Sequence, residues 1–396
     1  MASGRGDRAG GAPAALHARL DALLDAHVAE ILALAAIPAP SFEEQERAAH
    51  VAARFREAGL AGVVVDGADN VRGQFVRPDP GTAARGTLLL AAHSDCVFPR
   101  AAHEPPRREG GRLIGSSIRD NSAGVAALVT TARALREAGI GLPCALEFVA
   151  TTGEEGLGDL RGMRYRLRRE ELRPDVIVAV DGTLGQIVHQ GIAVKRFTVR
   201  FEVPGGHSWS EFGAPSAIHH LARVIDRLAA IVVPSVPKTT FNVGVVRGGT
   251  SVNSIAASAE MQVDFRSLET GPVDRLVETL RRLVAAEEEA GVRASITLVG
   301  DRPGGAIPAD HPLVAALQAA YLAWGIEPRL TAASTDANVP LALGIPAAAA
   351  GFSRGGNLHA PGEWLEIDSL RPGLHALADG IVRVSDWLAA AGTRGT

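Results

Sequence analysis

Three apolar stretches of the chain stop at side chains able to bind a metal or move a proton. Residues 87–92 run Thr-Leu-Leu-Leu-Ala-Ala and lead into His93-Ser94-Asp95. Residues 144–152 are apolar and β-branched and lead, through Gly153, into Glu154-Glu155. Residues 175–180 run Asp-Val-Ile-Val-Ala-Val and stop at Asp181. Two more candidates lie in loops: Asp120, within Ile118-Arg119-Asp120-Asn121, and His359, within Gly355-Gly356-Asn357-Leu358-His359. Two imidazole nitrogens and three carboxylates suit zinc, manganese or cobalt better than calcium or copper. One carboxylate can bridge two ions, leaving one histidine and one further carboxylate for each. Ions paired at about 3.5–4 Å can share a water and make it a nucleophile at neutral pH. Glu154 and Glu155 are adjacent, so in extended or turn backbone their side chains point apart. Glu155 can then ligate while Glu154 takes a proton from that water and returns it to a leaving amine.

Taken singly, each residue has an ordinary reading. An aspartate ahead of a helix caps it, two glutamates among glycines make a solvated acidic turn, and the chain has 12 histidines. The ordered set is what points to a site, because strand ends facing a crevice are where open α/β sheets place their chemistry.

The elements that position these residues are legible in the apolar periodicity. Residues 14–36 carry Leu16, Leu20, Leu23, Leu24, Val28, Ile31 and Leu32 at helical spacing, and Pro38 and Pro40 end the run. Ser41-Phe42-Glu43-Glu44 reads as a capping box opening a second helix to about residue 58. Short strands follow at 62–66 and 71–76, with a turn at Pro78, Pro80 and Gly81. Strand 87–92, helix 122–138, strand 144–152, a helix ending near 171 and strand 175–180 then alternate. That order predicts an α/β fold with a largely parallel twisted sheet and helices on both faces. Residues 194–203 switch to strict alternation, followed by helix 214–230, strands 240–247 and 258–266, helix 272–290 and strand 294–299. This β-α-β-β-α-β order is an inserted α+β ferredoxin-like domain. The first pattern resumes with helix 312–324, strand 328–331, helix 336–342, strand 346–350 and a terminal helix over 367–390. The expected division is a disordered Gly- and Arg-rich tail (1–12), a catalytic domain in two parts (13–190 and 304–396) and a lid and dimerisation domain (191–303).

In this order His93-Ser94-Asp95, Asp120-Asn121, Glu154-Glu155, Asp181 and His359 resemble the M20 metallopeptidases. That group includes tripeptidase T, carnosinase-type dipeptidases, aminoacylases, succinyl-diaminopimelate desuccinylase and glutamate carboxypeptidase. The resemblance covers nearly the whole chain, including an inserted lid at the matching place. It implies that His93 and Asp181 bind one metal, Glu155 and His359 bind the second, and Asp120 bridges both. It also implies that Glu154 is the general base, that Asp95 steadies the His93 imidazole, and that the Asp120-Asn121 peptide is cis. Gly205-Gly206-His207-Ser208 resembles the family segment whose histidine helps polarise the scissile carbonyl, usually in the site of the other subunit. Gly248-Gly249-Thr250-Ser251-Val252-Asn253 and Val263-Asp264-Phe265-Arg266 resemble lid segments whose Asn and Arg hold a substrate carboxylate. Arg266 could instead pair with Asp264.

Departures leave the branch open. Cys96-Val97 stands where Thr-Val is commoner. Asp181, where carboxypeptidases and deacylases of the family often have Glu, fits the dipeptidase and tripeptidase branches better. Ser334-Thr335-Asp336-Ala337-Asn338 resembles the Thr-Asp segment of tripeptidase T, yet His207-Ser208-Trp209 lacks that enzyme's usual Pro-Gly. The expected protein is a homodimer, joined through the lid, that hydrolyses an amide bond in a short peptide or N-acylated amino acid with two divalent ions. Zinc is the first expectation, with manganese or cobalt as alternatives.

Composition narrows the competing classes. Forty basic against 44 acidic residues give a net charge of −4, which is no footprint for nucleic acid or an anionic membrane. Aromatics at 4% argue against a base-stacking surface. Cys96 and Cys144 are the only cysteines, too few for a disulfide framework and not spaced as thiolate zinc ligands. No apolar run reaches membrane-spanning length, and residues 1–12 lack the hydrophobic region of a signal peptide, so the expected compartment is the cytoplasm. Two other readings compete: the same metals acting on an aryl amine, carbamoyl or amidine C–N bond, and a metal-bearing binding protein without catalysis. The intact Glu154 counts against the second.

Overall fold

A computed structural model describes residues 12–76 and 84–391. Nearly all of the expected 1–12 tail, and the expected turn at Pro78, Pro80 and Gly81, lie outside the described residues. The chain divides into two compact units, Met1–Gly191 with Ala306–Thr396, and Ile192–Gly305.

In the first unit the apolar runs form the parallel centre of a mixed sheet. Thr87–His93 lies between Ala145–Thr151 and Val176–Val180, and Ala347–Ala350 continues the sheet beyond Val176–Val180, every pair parallel. These strands are buried along almost their whole length, as strands covered on both faces must be. Antiparallel pairs finish the sheet. Val71–Gln74 and Ala61–Val65 extend it past Ala145–Thr151, and Gln186–Gly191 extends it past Ala347–Ala350. Arg329–Ala333 then runs parallel to Gln186–Gly191. The Gln186–Gly191 strand escapes the sequence reading because Gln-Ile-Val-His-Gln-Gly holds only two consecutive apolar residues.

Two expectations are corrected. The single helix over 14–36 is two, Ala14–Ala22 and Leu24–Ala35, broken at Leu23 with φ −97 and ψ 1. Of its expected apolar face Leu16, Leu20, Leu23, Val28 and Ile31 enter the core, Leu24 and Leu32 pack against it only partly buried, and Leu34, outside that expectation, is buried with them. The capping box also does not form. Helix Gln45–Glu57 begins without a side-chain cap, because Ser41 and Glu44 face the candidate site described below.

The second unit has its own core. Its sheet runs Thr239–Gly248, Ser258–Ser267, Ala193–Glu202, Arg293–Arg302, all antiparallel. Alternate residues of the two inner strands, Phe197, Val199 and Phe201 with Met261, Val263 and Phe265, pack with helices Ala217–Ala229 and Thr270–Ala285. This is the expected ferredoxin-like order, with one face of the sheet covered. Among the described residues no helix is long and apolar enough to cross a membrane.

Candidate metal centre

Strand register brings the candidate residues to one edge of the first unit's sheet. His93 pairs with Thr151, Ala91 with Ala179, and Val180 with Ala350. The carboxyl ends of four parallel strands therefore coincide, and the loops holding His93, Glu154-Glu155, Asp181 and His359 all leave from that edge. Asp120 arrives from the turn before helix Ala123–Glu137, through a cis Asp120-Asn121 peptide.

The resulting geometry centres on Asp120. Its Oδ1 lies 2.9 Å from His93 Nε2, and its Oδ2 lies 3.2 Å from His359 Nε2. His359 Nε2 also lies 2.9 Å from Glu155 Oε1. Three sets of donor atoms lie within 4.8 Å of one another: His93, Asp120 and Asp181; Asp120, Glu155 and His359; and His93, Glu154 and Glu155. Asp120 is common to the first two. The five expected ligands and Glu154 are thus brought together in one unit.

The electrostatics are those of an acidic cluster in want of cations. Burial alone disfavours the His93 imidazolium, but its contacts with Asp120 and Asp95 hold the pKa well above the usual histidine range. Hydrogen bonds to Asp120 and Glu155 push His359 up to about 10. Burial would raise Asp120, yet the bonds from His359 and His93 outweigh it and hold the carboxyl well below the usual range. Burial raises Asp181 to about 6, aided by the charges of Asp120, Glu155 and Asp336 and opposed by His93. Nitrogen and oxygen donors in contact, with two histidines made the local cations, fit one or more shared divalent ions. Two imidazoles and three carboxylates are the donor set of zinc, manganese or cobalt.

The supports come from distant parts of the chain. Asp95 is fully buried and its carboxylate holds the acidic loop by its main chain. Oδ1 accepts from Glu154 N and Oδ2 from Glu155 N, both at 2.9 Å, and Ser41 Oγ donates to Oδ2 at 2.7 Å. Its side chain is 3.6 Å from His93 Nδ1, which lies nearer, at 3.2 Å, to the Asp95 carbonyl. Beside its place near the imidazole, Asp95 thus holds the main chain of the Glu154-Glu155 turn. Glu44, the other half of the expected capping box, accepts from Gly153 N and pairs with Arg161. Asn121 donates to Val180 O at 2.8 Å and accepts from Gly124 N at 2.9 Å, tying the Asp120 turn to the strand before Asp181. A Cβ on Gly124 would lie 2.1 Å from Asn121 Oδ1, so that close approach needs glycine. The buried Arg47 donates to Ser94 O and Ser117 Oγ, joining the His93 loop to the loop before Asp120. Thr151 Oγ1 donates to the buried Asp336. Cys96 is buried, with its thiol pKa raised by that burial.

Glu363 is a further supporting residue that carries no role in the sequence analysis. It is buried and accepts hydrogen bonds from the main-chain N–H groups of Arg119 and Asp120. Burial pushes its carboxyl up to about 7, against those bonds. Its only sequence signal is its place four residues after His359 in a Gly- and Pro-bearing loop.

The remaining candidates belong to the second unit. Gly206–His207 pairs with Ser254–Ile255, and Ser208 N donates to Asn253 O at 3.1 Å, so His207 and Asn253 share one tip. His207 Nδ1 accepts from Trp209 N at 3.2 Å, which leaves Nε2 as the nitrogen bearing the proton in the neutral ring. Trp209 and Phe212 beside it are 87% and 91% exposed. Arg266 lies at the far end of strand Ser258–Ser267, roughly 26 Å along from the Asn253 end at about 3.3 Å per residue. There it pairs with Asp264 at 2.6 Å. A single carboxylate cannot meet Asn253 and Arg266 within one unit. His220 is buried against Glu287.

A model of peptidase family M20/M25/M40 matches residues 89–383. Among curated proteins, an acetylornithine deacetylase of Shigella sonnei is 26% identical over 325 residues, covering 75% of this chain and 83% of that protein. Among solved structures, aminopeptidase PepT from Bacillus cereus is similar with a TM-score of 0.74 at 22% identity, over 91% of this chain and 98% of that one. The Bacillus subtilis YXEP protein, described as a dinuclear metal binding peptidase, is similar with a TM-score of 0.67 at 18% identity, over 92% and 99% of the two chains.

Proposed function

The chain belongs to peptidase family M20/M25/M40 and is a hydrolase, and from that premise we propose that it cleaves an amide bond in a short peptide or N-acylated amino acid with two divalent metal ions. The observation that carries this reading is Asp120, which turns one oxygen to His93 and the other to His359. A carboxylate so divided is suited to be shared between two ions. His93 and Asp181 would complete the site of one ion, and Glu155 and His359 that of the other. Zinc is the first candidate, with manganese or cobalt as alternatives. Two such ions, when bound, supply Lewis-acid charge and lower the pKa of a shared water.

The chain's own residues do the rest. Glu154 takes the proton from the attacking water and delivers it to the leaving nitrogen. It is held to that task by its main-chain bond to Asp95. His207, with the proton on Nε2, donates a hydrogen bond to the oxygen on which negative charge develops. Asn253 and Arg266 hold the substrate carboxylate, Arg266 after exchanging Asp264 for it. Because the two are far apart in one unit, they serve one substrate only from two copies of the chain, so the reading includes a homodimer through Ile192–Gly305. Among the described residues the edge strand Thr239–Gly248 pairs on one side only, which leaves its other side for such an association.

The test is metal content by elemental analysis, with hydrolysis of a panel of di- and tripeptides and N-acyl amino acids in added zinc, manganese or cobalt. About two metals per chain with turnover on the panel is the expected result. Metal without turnover would move the activity to an aryl amine, carbamoyl or amidine bond. No metal under any condition would overturn the ligand assignments.

A further inference from the structure

Among the described residues Glu363 is buried and forms no salt bridge. It is 1% exposed, and its Oε1 accepts from two successive main-chain N–H groups, Arg119 at 2.8 Å and Asp120 at 2.9 Å. Its Oε2 is buried and accepts no hydrogen bond among the described residues. The neighbouring Arg119 guanidinium donates to Thr183 Oγ1 instead. Among the described residues the hydrogen bonds of this side chain are therefore confined to the main chain that carries Asp120.

Its own place is fixed from three sides. Gly115 N donates to Glu363 O at 2.9 Å, Gly362 N donates to Glu104 Oε2 at 3.0 Å, and the following strand Trp364–Glu366 pairs with Arg112–Ile114. The same short segment begins at His359. One buried acceptor oxygen shared by two adjacent main-chain donors ties both to a single point, and Asp120 N is one of the two donors. Where the Asp120 main chain is pinned, its carboxylate has a defined reach to His93 on one side and His359 on the other.

We infer that Glu363 is the positioning residue of the metal centre, setting the place of Asp120 between His93 and His359 and through it the joint binding of two ions. The inference rests on the two-metal reading above. Glu363 itself touches neither the ligand nitrogens nor the substrate. What it supplies is reach and an acceptor oxygen, so its effect must depend on side-chain length and acceptor geometry more than on charge.

The experiment is calorimetric titration of metal-free protein with zinc, and separately with manganese, for wild type, Glu363→Gln, Glu363→Asp and Glu363→Ala. Each is checked for a cooperative thermal melt, and the manganese-loaded samples are examined by electron paramagnetic resonance for coupling between the ions. Supporting residues of metal sites typically change affinity by about 10–100-fold. Glu363→Gln keeps length and an acceptor oxygen, and should bind two ions within about threefold of wild type with coupling retained. Glu363→Asp keeps the charge but falls short, and should resemble Glu363→Ala: second-ion affinity lowered by about 10–100-fold and coupling lost, in a chain that still melts cooperatively. Two ions at wild-type affinity in Glu363→Ala or Glu363→Asp would overturn the inference, as would equal damage in Glu363→Gln. Should Glu363→Ala fail to fold, the Gln and Asp variants decide between reach and charge. A wild-type protein that binds no metal would instead overturn the two-metal reading itself.

Discussion

Replacing Asp95 by Asn is the sharpest test of how the acidic loop is held. Three donors converge on the Asp95 carboxylate: Glu154 N, Glu155 N and Ser41 Oγ, at 2.9, 2.9 and 2.7 Å. They are divided between its two oxygens, one taking Glu154 N and the other taking Glu155 N and Ser41 Oγ. An asparagine of the same shape has one acceptor oxygen and one NH2 group. Whichever way the amide turns, its NH2 meets at least one N–H head-on. The protein therefore loses at least one charge-assisted bond, worth about 1.5–3 kcal/mol, and leaves a buried donor unsatisfied, at about 1–3 kcal/mol. Ser41 can rotate its hydroxyl to accept, which limits the damage if the amide points that way. The expected loss is about 3 kcal/mol of unfolding free energy, a large part of the roughly 5–15 kcal/mol of an ordinary domain.

The assay is urea unfolding of metal-free wild type and Asp95→Asn, followed by metal titration of each. Because Glu154 and Glu155 hang from the same two bonds, metal affinity should fall by about 10–100-fold in the variant. Ser41→Ala, which removes only one of the three donors, should cost about 1 kcal/mol. An Asp95→Asn variant within about 0.5 kcal/mol of wild type, the range of an ordinary surface change, would refute the reasoning.

Three further outcomes follow from the same geometry. Glu154→Gln should lower kcat by about 10²–10⁴-fold while metal content and melting temperature stay as in wild type; near-normal turnover would remove it as the proton carrier. His359 has a side chain that is half exposed, so His359→Ala should fold normally yet bind one metal where wild type binds two, and an unchanged count by elemental analysis would exclude it as a ligand. His27 tests burial away from the site: its pKa is pushed down to about 4 by burial, from 6.5, and its Nδ1 lies 2.9 Å from Thr130 Oγ1. Between pH 6.5 and 4 the unfolded chain binds a proton that the folded chain does not, so this contribution is complete above pH 6.5 and is lost as pH falls toward 4, to about 3 kcal/mol in all. The stability difference between wild type and His27→Leu should shrink or reverse across that window, and a difference independent of pH would exclude the mechanism.

What was legible in the sequence and what was not divides along a physical line. The core strands announce themselves, because Thr87–His93, Ala145–Thr151 and Val176–Val180 are buried on both faces and read as largely apolar runs, Glu147 in the second being paired with Arg166. The candidate ligands follow from them, since a polar residue at the end of such a run has few places to go except the sheet's carboxyl edge. Short strands of mixed polarity, such as Gln186–Gly191, Arg112–Ile114 and Trp364–Glu366, carry no such signal. Their pairing is decided by tertiary context, and with it the positions of Glu363 and the His359 loop.

The Ser41–Glu44 segment shows why local rules fail at the centre's margin. Serine followed three residues later by glutamate is a helix-opening pattern, and a helix does open at Gln45. Yet Phe42 takes φ 78, the loop turns inward, and both polar side chains are drawn off: Ser41 to Asp95, Glu44 to Gly153 N and Arg161. A cap is worth about 1 kcal/mol to a helix. The turn that presents two adjacent carboxylates, by contrast, has main-chain donors at Gly153, Glu154 and Glu155 that need buried acceptors, each costing about 1–3 kcal/mol if left alone. The larger demand wins, and the helix start goes uncapped. The same logic accounts for Glu363, whose carboxyl is buried with two main-chain donors at the Asp120 turn. At Ser41 and Glu44 the side chains that a local reading assigns to a helix cap are held by the centre, which is where a sequence pattern and a fold are expected to disagree.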